Sequence, residues 1–112
     1  MFIKRAEDVT LESAYKGVGI RWLTRPQEGA PNFAMRLIEF EPGVVFTPHQ
    51  HSYEHEIYVV EGEGMVTNSE GDVDVMQPGK FFLIMPNEIH GYRNTGTQTL
   101  KFICVIPNPT EE

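Results

Sequence analysis

The stretch His49-Gln50-His51-Ser52-Tyr53-Glu54-His55 decides the reading of this chain, because three of its four histidines fall within those seven residues. Side chains of an extended segment alternate between two faces, so His49, His51 and His55 share one face if the backbone stays extended. Three imidazoles on one side form a metal-ligand arrangement that lacks a fourth donor. The remaining histidine, His90, closes a second segment, Phe81-Phe-Leu-Ile-Met-Pro-Asn-Glu-Ile-His90, which reads as a buried strand entering a turn.

Outward from these two segments, Gly and Pro punctuate the chain at short intervals and leave helices little room. Between the breakers lie apolar or alternating runs rich in β-branched and aromatic residues: 19–23, 33–41, 56–60, 64–67, 73–76, 80–85 and 99–106. Many short strands at this spacing predict an all-β sandwich or barrel. Only Arg5 to Ser13 leaves room for a helical turn, and Pro107 to Glu112 reads as a frayed tail. Glu61-Gly-Glu-Gly64 and Ser69-Glu-Gly71-Asp72 each supply glycine where a tight turn needs positive φ, which predicts two antiparallel hairpins. Asn94-Thr-Gly96-Thr-Gln98 is a third joint, leading into the last strand. There Lys101 prefers water and puts Ile103 and Val105 on its face, so Phe102, Cys104 and Ile106 turn inward.

The bounds on function are plain. A chain of 112 residues is the size of one ordinary domain, 1–112, and can bury a core without staples. Its single cysteine, Cys104, rules out an internal disulfide and fits a reducing compartment. A net charge of -7 argues against nucleic acid or an anionic membrane as main partner. No run reaches the length of a membrane span, and the first residues lack the apolar core of a signal peptide, so the expected address is the cytoplasm.

The spacing of these residues resembles the two motifs of the cupins. Gly43 is followed by five residues, His49-x-His51, three residues, His55, six residues and Gly62. Gly79 is followed by five residues, Met85-Pro86-Asn87, two residues, His90, three residues and Asn94. The resemblance implies a double-stranded β-helix, or jelly-roll barrel, with a short N-terminal extension. Two departures from the family pattern involve three positions. His55 stands where cupins commonly carry a glutamate ligand, with Glu56 one place later on the opposite face; a Glu56 ligand remains the alternative, although it spaces less well to Gly62. In the second motif Met85 and Asn87 replace Pro and Gly, and Asn tolerates left-handed φ. A lone strand histidine is usually structural, whereas the whole histidine complement at motif positions implies a metal site of His49, His51, His55 and His90.

Four neutral imidazoles leave a divalent ion its full charge. Imidazole suits Mn, Fe, Co, Ni, Cu and Zn alike, and resemblance to small four-histidine cupins favours one Mn or Fe per chain. Arg36 is either an inward anion contact or, more ordinarily, a solvated strand arginine. Phe102, Cys104 and Ile106 are the other candidate pocket residues, while Tyr53, Glu54 and Glu88 read as exposed loop residues. The apolar run 33–40 exceeds what one sheet face buries and suggests a homodimer. The leading functional expectation is a dioxygenase-like metal oxidoreductase acting on a small molecule. The alternatives are a redox-neutral decarboxylase or isomerase, for which only Glu54 or Glu88 offers a carboxylate, and a non-catalytic metal or ligand-binding module.

Overall fold

Ten strands pair antiparallel into two sheets in the computed structural model, which describes residues 1–108. They are β1 (Glu12–Tyr15), β2 (Val18–Thr24), β3 (Phe33–Phe40), β4 (Val45–His49), β5 (His55–Glu61), β6 (Gly64–Asn68), β7 (Gly71–Met76), β8 (Phe81–Ile84), β9 (His90–Asn94) and β10 (Leu100–Pro107). The larger sheet runs β1-β2-β3-β10-β5-β8 and the smaller β4-β9-β6-β7. This is the jelly-roll, double-stranded β-helix architecture that the two motifs imply. The first residues hold only a 3-10 turn at Ala6–Asp8 before β1 begins, so the helical turn expected over 5–13 is shorter and gives way to a strand. Among the described residues no helix is long and apolar enough to cross a membrane.

Alternation on the central strands decides what is inside. On β10 Leu100, Phe102, Cys104 and Ile106 are buried, and on β5 His55, Ile57 and Val59 are. They meet Val66, Met76 and Tyr92 from the smaller sheet in one core cluster. Each large apolar side chain so buried stabilises the fold by roughly 1.5–3 kcal/mol. The opposite parity leaves Tyr58, Phe81 and Leu83 exposed on the outer face of the larger sheet. That outer apolar surface lies on β5 and β8, whereas the suspected run 33–40 mostly packs and exposes chiefly Phe33.

Ser69 and Glu70 do join β6 and β7 as a hairpin, but Glu61-Gly62-Glu63-Gly64 does not. It carries the chain from β5 in the larger sheet to β6 in the smaller, because Gly62 (φ 85°) turns the backbone against Thr99, where a Cβ would sit 2.5 Å from the Thr99 carbonyl oxygen. The short strands β1, β4 and β9 are not separable in the sequence, since β1 is polar, β4 ends at a histidine and β9 begins at one. At the C-terminus Pro107 still pairs with Phe33, and Asn108 is held by Asn32 and Ala30, so these two residues are not frayed; the rest of the expected tail lies outside the described residues.

Candidate metal centre

The segment 49–55 is not one continuous strand. β4 ends at His49 in the smaller sheet, the chain turns through Ser52 and Tyr53, and β5 starts at His55 in the larger sheet. The three histidines therefore do not share a strand face, as alternation alone suggests; the crossover between sheets brings them together. His90 opens β9 as the register partner of His49. Ring centroids of His49 lie 4.7 Å from His51 and 4.4 Å from His90, and those of His55 lie 4.9 Å from His51 and 5.1 Å from His90. His51 and His90 thus each neighbour both His49 and His55. One ring nitrogen from each of His49, His51 and His90 falls within 4.8 Å of the other two, close enough for one cation.

Local hydrogen bonds fix how the rings present themselves. His90 Nδ1 donates to the Glu88 carbonyl at 2.8 Å and His49 Nδ1 to the Thr47 carbonyl at 3.3 Å. A carbonyl only accepts, so both rings carry their proton on Nδ1 and leave Nε2 as a bare lone pair. His55 Nδ1 instead meets Cys104 Sγ at 3.2 Å. The Nε2 atoms of His55 and His90 are buried and have no partner among the described residues. The ring nitrogens of His49, His51 and His90 converge, His55 lies beside them outside that group, and a donor set of imidazoles fits a divalent transition metal.

The loop that carries His51 is tied to the second motif, since the Asn87 amide donates to the His51 carbonyl at 2.6 Å. Asn87 does so at φ 66°, the left-handed conformation that glycine would otherwise supply there. Asn94, the last motif residue, is buried and structural: its Nδ2 donates to the carbonyls of Phe40 and Gln98, and its Oδ1 accepts from Gly96.

Burial and mutual repulsion favour the neutral forms of His49, His51 and His55. Desolvation, with the neighbouring Arg36 and the other imidazoles, pushes His55 down to about 3. Desolvation also lowers His49 and His51 below the ordinary histidine value. Burial raises the Cys104 thiol, partly opposed by the Arg36 guanidinium, and raises the Tyr92 phenol well above its usual range.

Beside the imidazoles lies a cavity of about 200 Å³ lined by His49, His51, His55, Arg36, Cys104, Phe102 and an aromatic group of Tyr15, Phe40, Phe46 and Tyr92. Among the described residues no carboxylate lines it. Arg36 faces inward rather than into solvent: its Nη2 donates to Cys104 Sγ at 2.9 Å, its Cζ lies 5.5 Å from the Trp22 ring centroid, and its Nε is buried without a partner. The pairing of Arg36 with Cys104 across β3 and β10 explains this, because partners in register point to the same face. Ile106 is buried but does not line the cavity; it sits opposite Ala34, further along β10. Glu56 is exposed and lines a groove on the outer face of the larger sheet. Glu54 is exposed, and Glu88 accepts from the Met85 amide in the β8–β9 turn; neither lines the cavity.

Two contributors escaped the sequence. Tyr53 stacks on both His51, at 5.1 Å and 15°, and His55, at 5.3 Å and 26°, and so is more than a loop residue. Tyr92 lines the cavity because it follows His90 by two places on β9, an alternation visible only once β9 is known to be a strand.

A β-sandwich of this topology, with imidazoles from both sheets gathered beside a cavity, defines a cupin. The chain belongs to the cupin domain family, whose model matches residues 36–106. It is 33% identical over 88 residues to an L-ectoine synthase from Mycolicibacterium vanbaalenii, a match covering 66% of this chain and 66% of that protein. Among solved structures it is similar to the polyketide cyclase RemF from Streptomyces resistomycificus, with a TM-score of 0.88 and 31% identity over 97% of this chain and 80% of that one. The ectoine synthase from P. lautus shares the fold at a TM-score of 0.81 and 20% identity, covering 98% of this chain and 80% of that one.

Proposed function

We propose that this chain is a metal-dependent cupin enzyme that carries out redox-neutral, cyclase-type chemistry on a small carbonyl-bearing molecule with a substantial apolar or aromatic surface. The observation that carries this reading is the composition of the cavity wall: a cluster of imidazoles on one side and aromatic and aliphatic side chains around the rest. Its similarity to a polyketide cyclase over almost the whole chain points the same way. His49, His51, His55 and His90 would hold the ion. His55 serves as fourth donor rather than Glu56, because Glu56 lies on the outer face. A divalent transition metal, Mn or Fe by the resemblance, supplies Lewis acidity that polarises a carbonyl oxygen when bound.

The chain's own residues supply the rest. Phe40, Phe46 and Phe102 offer flat apolar walls that hold a folded substrate and keep water from it. Arg36 is the one cation of the lining and gives the cavity a positive end for an anionic or enolic oxygen. Tyr92, kept protonated by burial, serves as a hydrogen-bond donor.

Oxygen-dependent oxidation is the second reading, favoured by the lack of a carboxylate among the described lining residues, because it needs a metal and an apolar pocket but no carboxylate base. Anaerobic turnover of a linear polyketone thioester surrogate by Mn-, Fe- and Zn-loaded protein separates the two. Ring-closed product of unchanged oxidation level, formed without dioxygen, supports cyclisation. Strict dependence on dioxygen, with a Zn form that is inert, overturns it.

A further inference from the structure

Two of the four imidazoles, His49 and His90, differ from His55 in what holds them. His49 and His90 rest on backbone carbonyls, which fix their protonation by being acceptors only. His55 has no carbonyl at Nδ1. Its partner is the sulfur of Cys104, a group able to accept or donate, 49 residues away in sequence on β10. That sulfur is itself fixed from the other side by the Arg36 Nη2 donor at 2.9 Å, and Cys104 is 1% exposed.

We propose that Cys104 is the positioning residue of the fourth imidazole: its sulfur accepts the His55 Nδ1 proton, with Arg36 holding the sulfur in place, so that His55 presents a bare Nε2 to the metal site. This rests on the four-histidine reading given above. The argument is one of polar bookkeeping at His55. Its Nε2 is buried and finds no partner among the described residues. A proton on Nε2 would be a buried donor with no acceptor, a state that folded proteins largely avoid. On Nδ1 the proton has the sulfur as acceptor. The guanidinium can only donate, so its contact with Cys104 uses a sulfur lone pair and restrains the side chain within reach of the ring. Sulfur thus takes the outer place that a carbonyl takes for His49 and His90. Hydrophobic packing alone does not account for a cysteine with an arginine on one side and an imidazole on the other.

The test uses the full chain and Cys104→Ala and Cys104→Ser variants. Long-range proton–nitrogen NMR on metal-free protein at pH 7.5 reads the tautomer of each ring directly. In the wild type His55 carries its proton on Nδ1; in Cys104→Ala the His55 signal moves toward the Nε2-protonated form while those of His49 and His90 stay. Affinity for Mn2+ or Co2+, measured by competition with a chromophoric chelator, falls about tenfold or more in Cys104→Ala, the size expected for loss of an outer partner. Cys104→Ser, whose hydroxyl can accept in the same place, recovers most of it. Wild-type His55 protonated on Nε2, or a folded Cys104→Ala with unchanged tautomer and unchanged affinity, overturns the proposal. A wild type that binds neither metal while the His55 tautomer still depends on Cys104 overturns the four-histidine reading and leaves the positioning role standing.

Discussion

His49 and His90 are register partners on the β4–β9 pair, and their ring centroids lie 4.4 Å apart. Two residues 41 positions apart in the chain are thereby held side by side by strand pairing, just past an irregularity between Phe46 and His49. His55 joins from the other sheet. The cluster therefore depends on how the two sheets pack as much as on either motif.

Replacing His49 or His90 by alanine is expected to lower affinity for Mn2+ or Co2+ by more than the roughly 10–100-fold that outer partners command. Chelator competition on each purified variant measures this. Affinities within a few-fold of wild type would show that the imidazoles do not form the binding site.

Acid should destabilise the metal-free protein well above the carboxylate range. His49, His51 and His55 have folded values below the unfolded value of 6.5, His55 at about 3. The unfolded chain then binds more protons than the folded one between those limits. Their contribution is present above pH 6.5 and is lost as pH falls toward 3. Urea midpoints of chelator-treated protein should drop steadily from pH 7 to pH 4.5. A flat profile over that window contradicts the burial of neutral imidazoles.

Tyr53→Ala removes a ring stacked on His51 and His55 without touching the core, since Tyr53 is 37% exposed. The expected result is a thermal midpoint within about 2–4 °C of wild type, the shift that roughly 0.5 kcal/mol gives a domain of this size. Metal affinity should weaken measurably, because His51 sits in a turn and loses its lateral support. Calorimetric titration with Co2+ tests this, and an unchanged enthalpy and affinity would reduce Tyr53 to a surface residue.

Phe102→Ala opens a void where Phe102 is wholly buried against Phe40 and Tyr92. A loss of about 3–5 kcal/mol in unfolding free energy is expected. Asn94→Ala should cost about 1–3 kcal/mol for each buried group it strands, here the Phe40 carbonyl above all. Denaturant unfolding of both variants checks the ranking, and an Asn94→Ala protein as stable as wild type would remove the structural role of the last motif residue.

The residues themselves made much of this legible. Short β-prone runs between Gly and Pro pointed to an all-β class, alternation on β10 put Phe102 and Cys104 inside, and the motif spacing singled out His49, His51 and His90, whose ring nitrogens the structure brings within reach of one cation. Asn87 could be read as a left-handed turn residue before its φ of 66° was known. These are local properties, set by backbone sterics and by the two-residue period of a strand. Which glycine pair makes a hairpin and which crosses between sheets was not local: Glu61–Gly64 and Ser69–Asp72 look alike, and only the partners of β5 and β6 distinguish them. The same holds for Arg36, whose inward course depends on Cys104 and Trp22 from other strands, and for the cavity walls Tyr15, Phe46 and Tyr92. Side-chain direction repeats along a strand and can be read from one segment. Convergence of side chains from two sheets is fixed only when the sheets pack, and there the tertiary structure decided.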